Sequence, residues 1–378
     1  MNTAENGTSS AAVEPSTERA ETPGTLLLPA SAYTSSAQLE AERKAIFERS
    51  WIHVGDVAEL KNRGDFITAT IGNTPVLIIR SHDGELRGFL NVCRHRGLTL
   101  MEGQGHCEHQ LKCQYHAWSY GTDGRLLGVP YREEFKANVE NKNLIPIRVA
   151  VAAPLVFACL DENAPSFERW AGNLVPALER ARAAEMIELH KFEYEVACNW
   201  KIGVENAMDT YHLPFLHANG DAAYIDADSA VIEEEEYGSS ACTALPEAFL
   251  AILPGRDHLP EYDAVHVRMG SLFPNLVAVL FPGNLLVFRY DPISPERMRL
   301  TIRAYEYGDA MQAFRDYRIQ AIETTNQEDM PILERVQRGL QARDLPPFVY
   351  ASRLEKRVYH FQRMVKRALD GTKVKLAQ

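Results

Sequence analysis

Apolar residues recur with a helical spacing near the start of the chain and with a strand-like spacing after it. A helix is predicted over residues 36–50, where the apolar positions share one face and Ser35 or Ser36 supplies the N-cap. From Trp51 to Leu160 short apolar runs alternate with turn signals, which predicts a small all-β domain built of hairpins. The strands expected there include Phe66–Ile71, Pro75–Arg80 and Leu86–Val92.

The second half of the chain mixes both periodicities. Helices are predicted over Phe167–Ala184 and Met311–Leu340, with strands between them. Those strands are Val265–Met269, Leu276–Phe281, Leu285–Tyr290 and Arg299–Tyr305. Strands and helices that follow one another without strict alternation indicate an α+β domain with an antiparallel sheet flanked by helices.

These patterns divide the chain into three parts. Residues 1–25 are rich in Ser, Thr, Ala, Glu, Gly and Pro and lack periodicity, which predicts a disordered tail. We expect an all-β domain over residues 51–160 and an α+β domain formed by residues 26–50 and 161–378. Two domains also suit a chain of 378 residues. The acidic run Glu233–Glu236 is expected to be a solvated loop, with a docking patch for a basic redox partner as the alternative.

Composition excludes several classes of function. The net charge is −11, from 40 basic and 51 acidic residues, which argues against nucleic-acid binding. The apolar stretch Val149–Leu160 is too short to span a bilayer and contains Pro154. The N-terminus lacks a basic start followed by an apolar run, so no signal peptide is predicted. We therefore expect a soluble cytoplasmic protein without membrane or nucleic-acid partners.

Cysteine and histidine are paired twice in the first domain. Cys93 and His95 form a C-x-H pair, and Cys113 and His116 form a C-x-x-H pair 17 residues further on. Such a set can hold zinc or an iron–sulfur cluster. The C-x-H spacing is tighter than zinc sites usually show, and it suits a cluster in which two thiolates hold one iron and two imidazoles the other. A zinc-stabilised β module is the alternative.

The amino-acid sequences of the two loops are more specific than the spacing of their cysteines and histidines. Cys-Arg-His-Arg-Gly followed by Cys-Gln-Tyr-His-Ala-Trp resembles the [2Fe–2S] cluster signature of Rieske proteins. Two residues depart from that signature: Gln114 replaces the usual proline and Ala117 the usual glycine. Tyr115, Trp118 and Tyr120 are expected to pack the second loop, with a role beside the cluster as the alternative.

A second set of metal-binding residue types occurs in the segment CNWKIGVENAMDTYHLPFLH. If the segment is helical, Glu205, Asp209 and His212 share one face. His217 follows five residues later, and Pro214 between the histidines can kink the helix. Two histidines and a carboxylate are what a facial triad of Fe(II) ligands requires.

The third ligand is expected from the helix near the C-terminus. Asp329 shares a helical face with Leu333, Val336 and Leu340, so it is predicted to point inward. A buried carboxylate is costly unless it binds a cation. Glu328, one residue off this face, is the second choice.

Together the two motifs resemble the terminal oxygenase component of Rieske non-haem iron oxygenases over about Trp51–Leu340. This resemblance implies a Rieske domain joined to a START-like (helix-grip) catalytic domain, in which His212, His217 and Asp329 bind the mononuclear Fe(II). It also implies a homotrimer, with or without a small β subunit, in which the cluster of one subunit lies close to the iron of its neighbour. Asp209 would bridge the two centres, and Asn206 would lie near the iron.

The resemblance implies an activity as well. Electrons from NAD(P)H would reach the cluster through a separate reductase, with or without a ferredoxin, because the chain has no G-x-G-x-x-G loop that opens a helix. O2 would then be used to hydroxylate a small organic substrate, most commonly an aromatic compound. Monooxygenation or demethylation of a quaternary amine such as choline or a betaine is the alternative. A Rieske electron carrier and a zinc-stabilised binding protein are alternatives of another class.

Overall fold

The computed structural model describes residues 24–218, 220–251, 253, 259–308 and 312–371. Residues 1–23 of the predicted disordered tail lie outside the described residues. Among the described helices, none combines the length and the apolar composition that a membrane span requires.

Short strands dominate the first half, as predicted. They are β1 (Ile52–Asp56), β2 (Asp65–Ile71), β3 (Thr74–Arg80), β4 (Leu86–Leu90), β5 (Gln104–His106), β6 (Leu111–Lys112), β7 (Ser119–Tyr120), β8 (Leu126–Gly128), β9 (Pro146–Ala152) and β10 (Leu155–Cys159). Seven form one sheet in the order β1-β10-β9-β4-β3-β2-β5, and β6-β7-β8 form a second. The first Cys/His loop lies between β4 and β5, and the second lies between β6 and β7.

The second half forms one seven-stranded sheet in which all neighbours are antiparallel. Its strands are β11 (Ile187–Val196), β12 (Val231–Glu235), β13 (Gly238–Ala244), β14 (His266–Leu272), β15 (Leu276–Phe281), β16 (Asn284–Ser294) and β17 (Arg297–Glu306). Their order is β11-β17-β16-β15-β14-β13-β12. Strands β12 to β17 therefore run as a meander, and β11 pairs with the last of them.

Several helices pack against this sheet. The described helices are α1 (Ser31–Thr34), α2 (Ser36–Ala45), α3 (Phe167–Ala171), α4 (Leu174–Arg180), α5 (Trp200–Met208), α6 (Leu213–Leu216), α7 (Glu247–Leu250), α8 (Gln312–Gly339) and α9 (Lys356–Leu369). Of these, α5, α8 and α9 contact strands of the sheet. The long helix α8 contacts α5 and β11, and it buries Ile322 and Leu333 against the core. Ser35, one of the two predicted caps, accepts from the Gln38 backbone N–H at the start of α2, and the α-helix ends at Ala45, short of the predicted residue 50.

Two local predictions were wrong. The helix expected over Phe167–Ala184 is split into α3 and α4, because Gly172 adopts a φ of +50° that ends the first helix. The acidic run expected to be a solvated loop contributes instead to the edge strand β12. Its carboxylates have partners there: Glu236 pairs with Arg169 at 2.8 Å, and Glu234 pairs with Lys356 at 3.5 Å.

The buried apolar residues form two cores. The larger core joins the N-terminal helices, β1, β10 and the seven-stranded sheet of the second half. The smaller core, which includes Phe66, Leu77 and Phe89, lies beneath the two Cys/His loops. Those loops therefore rest on a packed base of their own.

Candidate metal centres

The first Cys/His loop is a tight turn that closes on its own backbone. The Cys93 N–H donates to Leu98 O at 2.8 Å, and the Gly97 N–H donates to Cys93 O at 3.0 Å. Gly97 has a φ of +79°, a conformation that favours glycine. Cys93 and His95 therefore lie within one closed turn.

The second loop repeats this design. The Cys113 N–H donates to Trp118 O at 2.8 Å, and the Ala117 N–H donates to Cys113 O at 3.0 Å. Ala117 occupies the position equivalent to Gly97 and has a φ of +56°. An alanine therefore stands at a position whose backbone conformation favours glycine.

The four side chains of the two loops converge. Cys93 and Cys113 are each 2% exposed, and the ring centroids of His95 and His116 lie 4.6 Å apart. The His95 Nδ1 atom is buried and has no hydrogen-bond partner among the described residues. A buried imidazole nitrogen without a partner in the described part of the chain, a second imidazole close to it and two buried cysteines in the same pair of loops fit a [2Fe–2S] cluster of the Rieske type.

Aromatic side chains enclose this centre. The Tyr120 hydroxyl lies 3.4 Å from Cys93 Sγ and accepts from the Arg94 N–H at 3.0 Å, so Tyr120 contacts a thiol directly besides packing the loop. Trp118 stacks on His95 with centroids 5.0 Å apart. Tyr115, in contrast, is 57% exposed. Burial raises the pKa of the Cys93 thiol, so a bound cation is needed to favour its thiolate.

The second set of predicted ligands does not lie on one continuous helix. Helix α5 ends at Met208, and Asp209 is extended with a ψ of 116°. Its carboxylate accepts from the Tyr211 N–H at 2.6 Å, a local bond that competes with helix continuation. Pro214 lies in the first turn of the new helix α6, where its missing N–H is tolerated. The predicted kink is therefore a break between two helices.

Glu205 and Val336 also depart from the predicted faces. Glu205 accepts from the Tyr33 hydroxyl at 2.7 Å and from the Gln362 amide at 3.0 Å, so it bonds to α1 and α9 and does not join His212. Val336 is 43% exposed. Helical periodicity places residues on a shared face but does not specify what lies opposite each turn.

The break between α5 and α6 nevertheless brings the three predicted ligands together. Asp329 Oδ1 lies 3.2 Å from His217 Nε2 and 3.9 Å from His212 Nε2. One candidate ligand atom from each residue lies within 4.8 Å of the others. Asp329 Oδ1 is buried and has no hydrogen-bond partner among the described residues. Two imidazoles and one buried carboxylate fit a divalent cation, and the set is that of a facial triad.

The opposite nitrogen of each histidine faces a different carboxylate. His212 Nδ1 lies 3.3 Å from Asp209 Oδ2, without the geometry of a hydrogen bond. His217 Nδ1 is hydrogen-bonded to Glu328 Oε2 at 2.7 Å. Glu328, the second choice for the third ligand, therefore contacts the side of His217 that faces away from Asp329. Burial lowers the pKa of His217, but the neighbouring carboxylates of Asp329 and Glu328 outweigh that effect and raise it.

A cavity of about 140 Å³ lies beside this triad. Its walls come from alternate residues of β15 and β16 and from one face of α8, since side chains alternate across a strand. The apolar and aromatic residues that line it include Ala207, Leu213, Ile225, Met269, Val277, Val279, Phe281, Leu286, Phe288, Tyr290 and Ile322. Asn206 and Asp209 line it too, as expected for residues near the triad.

Comparison with known proteins agrees with this arrangement. A Rieske [2Fe-2S] domain model matches residues 50–146, and a model of the ring hydroxylating alpha subunit (catalytic domain) matches residues 183–371. The carnitine monooxygenase oxygenase subunit of Acinetobacter baumannii is 35% identical over 51% of this chain and 53% of its own length. The biphenyl 2,3-dioxygenase subunit alpha of Rhodococcus jostii is 34% identical over 48% of this chain and 41% of its own. The chain thus spans about half the length of these relatives.

A solved structure is similar over nearly the whole chain. The quaternary ammonium Rieske monooxygenase CntA, in complex with an inhibitor, superposes with a TM-score of 0.80 and 26% identity, covering 92% of this chain and 96% of its own. This similarity confirms the predicted fold class of an all-β Rieske domain joined to an α+β catalytic domain. With a catalytic-domain match over 183–371, half of the 378 residues, preceded by a Rieske match, the protein belongs to the family of ring-hydroxylating oxygenase alpha subunits.

Proposed function

We propose that the protein is the oxygenase component of a Rieske non-haem iron system, which uses O2 to hydroxylate a small organic substrate. The observation that carries this proposal is the convergence of His212, His217 and Asp329 beside an apolar cavity. A Rieske electron carrier would not require this second centre. A zinc-stabilised binding protein would require neither an open triad nor the cavity beside it.

Two metal groups are assigned to two sets of residues. Cys93, His95, Cys113 and His116 would hold the [2Fe–2S] cluster, and the triad would hold Fe(II). When bound, the cluster supplies single electrons, and the mononuclear iron supplies open positions for O2 and substrate. NAD(P)H would be oxidised by a separate reductase, with or without a ferredoxin.

The side chains of the chain itself then have defined tasks. The Tyr120 hydroxyl, beside Cys93 Sγ, stabilises the thiolate by donating to it. Asp209 faces His212 Nδ1 and couples the two centres, and Asn206 contacts bound substrate at the mouth of the triad. The apolar walls exclude water and orient the substrate, as the linings of small-molecule sites generally do.

Assembly into a homotrimer is part of the proposal. Exposed aromatic side chains lie at both centres: Tyr115 beside the cluster loops is 57% exposed, while Tyr211 and Phe215, between the two iron-binding histidines in sequence, are 48% and 74% exposed. Clustered exposed apolar residues mark interaction sites. Contact between these surfaces on two subunits would bring the cluster of one close to the iron of the other.

Two substrate classes fit the cavity. An aromatic compound would stack against Phe281, Phe288 and Tyr290, and the likeness to a biphenyl dioxygenase supports this class. A quaternary amine would be attracted to the same ring faces by cation–π interaction. The likeness to CntA over most of the chain supports this second class.

The test is turnover of purified protein with a surrogate reductase system and 18O-labelled O2, against one panel of aromatic compounds and one of quaternary amines. Two labelled oxygens on a ring would establish a dioxygenase, and one would establish a monooxygenase of aromatic compounds. A labelled amine, or loss of a methyl group as formaldehyde, would establish the amine class. With both metals present, absence of product from both panels would refute both substrate classes.

A further inference from the structure

The two histidines of the triad are supported on their outer sides in different ways. Each presents Nε2 to Asp329 and Nδ1 to a second carboxylate. The bond from His217 to Glu328 is short, at 2.7 Å, and has hydrogen-bond geometry. His212 Nδ1 lies 3.3 Å from Asp209 Oδ2, and this contact lacks hydrogen-bond geometry.

The geometry points to Glu328 as the residue that orients His217 and sets the metal affinity of the triad. Glu328 and Asp329 are neighbours on α8, and their carboxylates contact opposite nitrogens of the same imidazole. One turn of α8 therefore supplies both a ligand and the acceptor that orients a second ligand. Glu328 is a positioning residue, since it acts on the metal only through His217.

His217 depends on this support because its own helix does not provide it. It is the C-cap of α6, a helix of four residues, and its backbone φ and ψ are −105° and 28°. The imidazole is 1% exposed, so water cannot replace a lost partner at Nδ1 without rearrangement. The ring orientation is consequently decided by α8, 111 residues further along the chain.

The bond also settles which nitrogen can bind a metal. A carboxylate that accepts from Nδ1–H fixes the neutral tautomer whose lone pair is on Nε2, and it makes that lone pair more basic. Loss of such a partner typically weakens metal affinity by about 10–100-fold. Asp209, which lacks a hydrogen bond to His212, should contribute much less to affinity.

The test compares the affinity of the triad for Co²⁺ across variants of the full-length, cluster-loaded protein. Each variant is first stripped of its mononuclear metal. It is then titrated with Co²⁺ in competition with a metallochromic chelator. Glu328→Ala should raise the Kd about 10–100-fold. Glu328→Gln should fall between Glu328→Ala and the wild type, because the amide oxygen still accepts from Nδ1–H without a full charge. Glu323→Ala, an exposed carboxylate on the same helix, is the matched control and should bind as the wild type does.

The inference rests on the proposed ligand set, and the experiment separates the two. Failure of the wild type to bind Co²⁺ would refute the triad itself. Tight binding by the wild type with an unchanged Kd in Glu328→Ala would refute only the role of Glu328. An equal loss of Co²⁺ affinity in Glu323→Ala would also overturn the role of Glu328, because the effect would then follow the charge of α8 and not the bond to His217.

Discussion

At the scale of single residues, the two Cys/His loops share one backbone geometry but have different residues at the left-handed position. Gly97 has a φ of +79° and Ala117 a φ of +56°. A side chain at such a φ costs about 1–2 kcal/mol, partly offset because glycine loses more entropy on folding. The second loop therefore stores strain that the first does not.

Exchanging these residues should change stability in opposite directions. Ala117→Gly should raise the free energy of unfolding by about 0.5–1 kcal/mol, since it relieves the positive φ. Gly97→Ala, whose added Cβ would meet nothing within 4 Å, should lower it by a similar amount. Urea unfolding of the cluster-loaded protein measures both changes. Destabilisation by Ala117→Gly would show that the loop is not strained.

Asp209 offers a second residue-scale prediction, which tests its proposed coupling role. Asp209→Asn should retain iron and sulfide at the level of the wild type, yet reduce turnover by about 100-fold, the upper end of what loss of an outer partner typically costs. Metal analysis beside the turnover assay distinguishes the two effects. The coupling role of Asp209 would be contradicted if the variant lost mononuclear iron while the molecules that kept it showed normal single-turnover chemistry.

At the scale of elements, helix α5 is joined to α2 by a buried ion pair. Lys201 Nζ lies 2.6 Å from Glu42 Oε1, and both side chains are 0% exposed. The Trp200 indole donates to the other oxygen of Glu42 at 2.8 Å. These bonds position the start of the helix that leads to the segment carrying His212 and His217.

Breaking this pair should be far more damaging than breaking a surface pair. Lys201→Met leaves the Glu42 carboxylate without its cation and should cost about 3–5 kcal/mol. Combining it with Glu42→Leu should recover a large part of that loss, because no buried charge is left. Lys44→Met, which removes an exposed pair with Glu40, should change stability by less than about 0.5 kcal/mol. A double variant no more stable than Lys201→Met would contradict this account.

The same helix should make stability depend on pH through Glu205. Burial raises the pKa of Glu205 from 4.5 to about 7, while bonds from Tyr33 and Gln362 lower it only in part. Between these values the folded state holds a proton that the unfolded state has lost. Stability therefore falls as pH rises through this window, by up to about 3 kcal/mol.

Glu205→Gln removes the titrating group and keeps an acceptor for Tyr33. Between pH 5 and pH 8 the variant should lose less unfolding free energy than the wild type does, by an amount on the order of 1–3 kcal/mol. Unfolding midpoints at several pH values provide the comparison. Parallel pH profiles for the two proteins would mean that Glu205 titrates normally.

At the scale of the whole molecule, the exposed aromatic residues at the metal sites predict self-association. Phe215→Asp places a charge at the centre of the proposed subunit contact and should shift the protein from trimer to monomer in light scattering. Val231→Asp, at a residue 60% exposed on the edge strand β12, is the control and should leave the mass unchanged. An unchanged mass for Phe215→Asp would place the contact elsewhere.

Local spacing by itself determined much of this protein. A short, continuous apolar run predicted β15 at its observed bounds, and similar short runs predicted its neighbours in the sheet, because buried strands need apolar side chains. Cys-x-His and Cys-x-x-His predicted two ligand-bearing loops, and in the structure both residues of each pair lie on one short turn. The sequence also named His212, His217 and Asp329 as ligands, and the structure brings their side chains together.

Tertiary structure alone decided how those residues are used. The bonds of Glu205 to Tyr33 and Gln362 depend on residues distant in the chain, and so does the contact of Glu328 with His217. The break after Met208 depends on a choice between competing local bonds. Periodicity specifies which side chains share a face of one element, and it carries no information about what packs opposite. That is why Glu328 was predicted only as a substitute ligand, whereas the folded chain places it on the far nitrogen of His217.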